Sequence, residues 1–379
     1  MPRRASSVRR RVDAEVIASA SWARYDDCSD RDLPAWRAQG RRTGGFTLIT
    51  VSILGGGFMA TTHAASYQKL GGRVRVVSVC SLGEERALRL AASLGARHLD
   101  SIDQAVSDPD VDVVDICLPT HLHRPAAEKA FAAGRHVLVE KPIALSVEDA
   151  DAIVAAAASS GRFLMVALVL RFWPEYVELH RLITSKELGP PRSVSTYRLS
   201  PPADWNDWMA DISRSGGVAV DLLLHDLDQM NWLLGRPARV LARSPKKDHV
   251  LAVVEYESGA CGFAEAGSAM PTSFPFSSGI RVLCERGAAE HAFSAAPAVD
   301  GGNVGSPTSA RGLHVFRSEG ESIVPVDNGD AWAAEITHFL DSVERGQAPE
   351  QGTAEQARTA LLVSLAVNRS IASGRMEPV

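Results

Sequence analysis

The sequence predicts an α/β first half and an α+β second half: a doubly wound parallel sheet with helices, then a large, mostly antiparallel sheet backed by helices. Three observations lead there. β-Branched apolar runs alternate with helical stretches as far as about residue 168. Beyond it, strand-like runs follow one another without helices between them. A glycine-rich turn joins the first strand to the first helix. The 379 residues suffice for two domains of roughly 100–200 residues each, and 45% hydrophobic content is ordinary for a globular chain.

Residues 1–45 stand apart, with ten Arg against six Asp and Glu, little periodicity and no apolar segment of signal-peptide length. They are expected to be a disordered extension. Order begins at Thr47–Leu54, a strand that enters the turn at Gly55 and continues as a helix to about Leu70. A strand is expected at Arg73–Cys80, a helix at Glu84–Leu94 and a strand at Val111–Pro119. A helix at Pro125–Ala133, a strand at His136–Glu140, a helix at Val147–Ser160 and a strand at Phe163–Leu168 complete the first half. The second half, 169–379, shows strand patterns at Arg192–Leu199, Ala238–Arg243, His249–Glu257, Ala260–Ala266, Ile280–Glu285 and His314–Phe316. Residues 294–312 are small and polar enough for a mobile loop, and Ala331–Arg345 and Thr353–Ser373 for packed helices.

Within the opening turn, Gly55, Gly57 and Ala60 fit G-x-G-x-x-G/A. The first permits the tight turn, the second lets a pyrophosphate approach the backbone, and the small third lets helix and strand pack closely. The helix start at Phe58 and Met59 offers N–H groups and a positive dipole end to phosphate. The stretch 46–168 is therefore expected to be a Rossmann domain binding NAD or NADP. The ribose-binding acid usual after the second strand is absent, with Ser81 in its place and Arg86 a turn further on, which leans the choice toward NADP.

Loops beyond strand C-termini face the ligand crevice in such sheets, so Pro119, Thr120, His123, Glu140 and Lys141 are expected at the cofactor. Proline at 142 restricts Lys141 and aims it. In "SGGVAVDLLLHDLDQMNWLLG", residues 215–235, a continuous helix would place Asp221, His225, Asp228 and Trp232 within a stripe of roughly 60°. The leucines would take the opposite arc, and the polar stripe would face a cleft. Metal ligation by Asp221, His225 and Asp228 is a weaker reading, because no further ligand cluster stands at matched spacing. Oxidation of a secondary alcohol needs a base beside the hydroxyl. His225, with an ordinary pKa of ~6.5, suits it; Asp221 one turn earlier would orient the ring, and Lys141 would stabilise the alkoxide. Whether Lys141 or His225 takes the proton stays open. Arg171, Trp173, Trp205, Asp207 and Trp208 are candidates to line a sugar pocket.

Together "GGGFMATTHA", "LPTHLH", "VEKP", "RFWPEY" and the 215–235 helix resemble the Gfo/Idh/MocA oxidoreductases, in that family's order, from about residue 47 to the C-terminus. The resemblance implies a catalytic lysine, aspartate and histidine at Lys141, Asp221 and His225. It also implies a polyol or sugar substrate, and dimer or tetramer contacts through the free face of the second sheet. Ala60 for the third glycine, the missing ribose acid and the N-terminal extension depart from the family pattern.

A net charge of −5, spread along the chain, argues against a nucleic-acid partner. No apolar run reaches the ~18 residues of a membrane span. Five cysteines without a framework read as reduced thiols, and a cytoplasmic location is expected. The expected activity is hydride transfer between a nicotinamide and a CH–OH group. The alternatives are a glycosidase-like or lyase-like enzyme with transient redox, and a non-catalytic nucleotide-sensing protein.

Overall fold

Six strands, five of them largely apolar, build the first sheet. In the computed structural model, which describes residues 42–43, 46–81, 85–202, 207–246, 248–295 and 312–379, they are β1 (Ile49–Leu54), β2 (Val74–Cys80), β3 (Arg97–Leu99), β4 (Val113–Ile116), β5 (His136–Glu140) and β6 (Leu164–Ala167). All pair in parallel, in the order β3-β2-β1-β4-β5-β6. This is the doubly wound order, whose chain reversal lies between β1 and β4. Every residue of β1, β4, β5 and β6 is buried, as a sheet covered on both faces requires. Most of the expected extension and of the 294–312 loop lies outside the described residues; Arg42–Thr43, within the extension, is not disordered but pairs antiparallel with Phe46–Thr47.

The second sheet has nine strands: β7 (Pro191–Leu199), β8 (Pro237–Lys246), β9 (His249–Tyr256), β10 (Cys261–Gly267), β11 (Phe276–Cys284), β12 (Ala288–Ala295), β13 (Leu313–Arg317), β14 (Gly320–Val324) and β15 (Glu377–Pro378). They run in the order β14-β13-β12-β11-β7-β10-β9-β8-β15, antiparallel except where β10 runs parallel to β7. Burial alternates strictly along β9, so one face meets the core and the other does not. Phe263, Leu283, Phe316 and Ile323 stand out as exposed apolar side chains.

The predicted class holds, and several element bounds match, His136–Glu140, Val147–Ser160 and Ala331–Arg345 among them. The sequence reading missed β3, β12, β14 and β15, and the helices Ile102–Ser107 and Pro174–Thr184. β12, AAEHAFSA, has too few β-branched residues to announce a strand; pairing with β11 and β13 imposes it.

The terminal helices tie the two sheets together within one compact unit. Asp330 caps Ala331–Arg345 by accepting from the N–H groups of Trp332 and Ala333. That helix packs on Phe58–Lys69, where Arg73 donates to Asp341 and Glu344. A Thr353–Gln356 capping box starts Ala354–Ser373, which packs on β8 and on the helix Leu224–Leu234.

Candidate active site

The glycine turn is wedged between the ends of β2 and β4. Gly55 donates to the Cys80 carbonyl at 2.8 Å, and its φ of +124° is one that side chains rarely permit. A Cβ there would sit 2.4 Å from the Cys117 carbonyl oxygen. At Gly57 a Cβ would meet nothing within 4 Å, so open space lies over the backbone at the helix start. No side chain caps Phe58–Lys69, and no acid stands in its first turn. These features fit the diphosphate of a dinucleotide: free approach to the main chain and a positive helix end whose own first turn carries no carboxylate. Phe58 and Met59 are half-buried beside it, while Ala60 is fully buried under the helix. Ser81 is half-buried at the end of β2, and Arg86 is exposed on the next helix.

Lys141 follows β5 and precedes a cis proline peptide. Its Nζ donates to Asp221 twice, to Oδ1 at 3.0 Å and to the main-chain oxygen at 2.9 Å. Two residues 80 positions apart, one from each sheet region, thus meet in a half-buried ion pair. Gly216, at φ +78°, and Gly217, at +72°, turn the chain into the short helix Gly217–Asp221. A new helix, Leu224–Leu234, brings in His225.

The interruption at Leu222–Leu223 corrects the expectation of one continuous helix with one polar face. Asp228 does not join Lys141 but forms a bidentate pair with Arg171, at 2.9 and 2.8 Å, both side chains at most 3% exposed. Arg171 is thereby a buried structural cation that also donates to Gln351, so it is not a free sugar ligand. The neighbouring Asp226 pairs just as deeply with Arg198. Asp221, Asp226 and Asp228 each serve a different cation, which removes the weaker metal reading of this segment. Asp221 bonds Lys141, and among the described residues no hydrogen bond joins it to the His225 ring that it was expected to orient. His225 is half-buried. Burial, then the positive charges of Lys141 and Arg198, hold its pKa well below the ordinary 6.5, against the expectation of a ring needing little adjustment.

His123 is corrected too. It is buried, with Nδ1 2.9 Å from the Pro142 carbonyl and Nε2 2.9 Å from that of Leu118, so it ties two crevice loops together. Thr120 is buried and Pro119 half-buried in the same turn. Glu140 faces inward: its Oε2 accepts from the Lys141 N–H at 3.0 Å, and its Oε1 lies 3.2 Å from His63 Nε2. Trp173 joins Trp332 and Phe293 edge to face. Trp208 is half-buried on the short helix Asp207–Ala210, Trp205 lies outside the described residues, and of the Asp207 side chain nothing is described.

Sequence reasoning missed His63 altogether. It is fully buried in the first helix and close to Asp115 and Cys117, which carry potential metal-ligand atoms within 4.8 Å of one another. Its only signal was a histidine on the inner face of an otherwise small-residue helix.

Comparison with known proteins fits this geometry. Residues 49–168 match the oxidoreductase family with an NAD-binding Rossmann fold, and 176–290 match the C-terminal domain of the same GFO/IDH/MocA family. The chain is 28% identical over 312 residues to a 1,5-anhydro-D-fructose reductase of Ensifer adhaerens, covering 79% of this chain and 90% of that protein. It is 28% identical over 239 residues to the scyllo-inositol 2-dehydrogenase (NAD(+)) of Bacillus subtilis (strain 168), covering 59% and 68%. The crystal structure of an aldose-aldose oxidoreductase from Caulobacter crescentus superposes with a TM-score of 0.76 at 23% identity, over 87% of this chain and 99% of that one, which shows a common fold. The chain belongs to the Gfo/Idh/MocA family of NAD-binding oxidoreductases.

Proposed function

We propose that this enzyme transfers hydride between NAD(P) and a secondary hydroxyl or ketone of a sugar, inositol or related polyol, with Lys141, Asp221 and His225 as its catalytic residues. The observation that carries this reading is the Lys141–Asp221 pair, with His225 opening the next helix. Gly55, Gly57, Phe58, Met59, Ser81, Arg86, Pro119 and Thr120 would border the cofactor, and Trp208 the substrate. When bound, nicotinamide supplies the hydride acceptor.

Asp221 takes two donor positions of the Lys141 ammonium, leaving the third for the substrate oxygen, where it stabilises developing alkoxide charge. Neutral His225 then accepts the hydroxyl proton. This division of labour has a pH signature. With its pKa held below 6.5, His225 stays a competent base down to mildly acidic pH. kcat/KM for alcohol oxidation should therefore fall with acid only below pH ~6.5. An acid limb centred above pH 7 that His225→Gln abolishes would contradict the assignment.

Absorbance of reduced nicotinamide, followed with a panel of inositols, aldoses and sugar acids and with each cofactor, tests the reaction itself. Turnover of a glycoside with no net reduction would favour the transient-redox reading, and cofactor binding without turnover of any kind would favour a sensor. Cofactor choice turns on the exposed Arg86, five residues beyond Ser81 on the next helix. Arg86→Ala is expected to raise KM for NADP about tenfold and to leave KM for NAD nearly unchanged; equal effects on both would remove Arg86 from the ribose site. The exposed apolar side chains on the second sheet support assembly as a homodimer or homotetramer through that face.

A further inference from the structure

Behind Lys141 lies a buried ionisable cluster that hydride transfer does not use directly. His63, fully buried, places Nδ1 2.9 Å from Asp115 Oδ2 and Nε2 3.2 Å from Glu140 Oε1. Asp115 also accepts from Tyr67 at 3.0 Å and from the Cys117 thiol at 3.5 Å. Glu335, from the helix Ala331–Arg345, is fully buried, and neither of its carboxylate oxygens has a hydrogen-bond partner among the described residues. Tyr67 from its own helix, Asp115 and Cys117 at the end of β4, Glu140 of β5 and Glu335 are the groups facing His63.

A charge inventory follows from this geometry. His63 Nε2 makes no hydrogen bond among the described residues yet stands 3.2 Å from Glu140 Oε1, so a neutral imidazole protonated on Nδ1 would turn its lone pair toward that oxygen, whereas the cation presents an N–H to each acid. Burial opposes the His63 charge, but Asp115, 2.9 Å from Nδ1, outweighs it and holds its pKa well above 6.5. Glu335 is kept neutral by burial, opposed by His63 and reinforced by Glu140 and Asp115. The Cys117 thiol is pushed up strongly by burial and by Asp115, so it is a poor thiolate ligand, and a proton shared by His63 and Asp115 suits the site better than a metal ion.

We infer that His63 is a positioning residue for Lys141: as a cation between Asp115 and Glu140, it fixes the carboxylate that holds the Lys141 main chain. The inference rests on the catalytic reading of Lys141 given above. Glu140 Oε2 accepts the Lys141 N–H while its Oε1 faces His63, so the carboxylate has one oxygen on each. His63 stands one and a half turns into the helix that begins at the glycine turn. The cofactor helix and the lysine are thus mechanically joined through one charged side chain.

Nitrogen-15 spectra of the full chain should show both His63 ring nitrogens protonated at pH 8; a neutral ring there would overturn the inference. His63→Gln should lower kcat tenfold or more per cofactor-binding site, with KM and cofactor Kd within about threefold. Asp115→Asn removes the group that most raises the His63 pKa, so His63 should lose its proton at lower pH and kcat should decline with rising pH where the wild type is flat. A merely structural role predicts a lower melting temperature with an unmoved pH profile and unchanged kcat per site. Glu335→Gln, replacing a neutral acid with a neutral amide, should alter neither; a loss equal to that of His63→Gln would mean that any disturbance of the cluster suffices, and would overturn the assignment. Should His63→Gln fail to fold, the spectra and the Asp115→Asn profile decide alone. Lys141→Met measured in parallel separates the two readings. Full turnover in that variant defeats the role of Lys141, whereas its inactivity beside a fully active His63→Gln defeats only the present inference.

Discussion

Lys141→Met is expected to lower kcat about a thousandfold while changing the affinity for reduced cofactor by no more than a few-fold. Methionine keeps much of the stem but removes the ammonium whose two bonds to Asp221 orient it. What is lost is a charged donor present mainly to meet charge that develops as the hydroxyl becomes a ketone, so the effect belongs in kcat rather than in ground-state binding. Lys141→Arg should rescue little, because a planar guanidinium cannot reproduce a point charge held by one carboxylate and its own main-chain oxygen. Steady-state kinetics with fluorescence titration of reduced nicotinamide provide the check. A loss smaller than tenfold would remove Lys141 from the chemistry.

Asp228→Ala is expected to destabilise the protein by about 3–5 kcal/mol, the largest stability effect we anticipate from a single polar substitution. Asp228 and Arg171 are 2% and 3% exposed, so removing the acid strands a guanidinium away from water with Gln351 and the Trp232 ring as its neutral partners among the described residues. Changing both residues together, Asp228→Leu with Arg171→Met, should recover most of the loss, because the penalty comes from the unpaired charge rather than from the absent pair. Urea unfolding of the three variants measures this. A single-variant loss below 1 kcal/mol would show that water reaches the guanidinium.

How far the site was legible depends on the kind of signal each residue carries. The glycine turn was legible because its constraint is local: Gly55 needs a positive φ, and the next residues must start a helix. The Lys-Pro dipeptide after β5 was legible for the same reason, a strand end with a restricted lysine. Arg171 and Asp228 were misread as cleft residues because both are ordinary surface types in sequence, and nothing local says that 57 positions later each finds the other. The helix break at Leu222–Leu223 was equally hidden, since three leucines in a row favour a helix as much as a turn. His63 passed unremarked because its partners come from β4 and β5, far along the chain.

By itself, then, the sequence determined the two sheet types, the dinucleotide turn and the presence of a lysine, an aspartate and a histidine fit for alcohol oxidation, since these follow from periodicity and from backbone limits felt within a few residues. Only the tertiary structure decided which acid serves which cation: Asp221 meets Lys141, Asp226 meets Arg198 and Asp228 meets Arg171. The physical reason is that a buried charge is tolerable only beside its opposite, and which opposite lies within 3 Å is fixed by the packing of distant strands and helices, a quantity no local pattern contains.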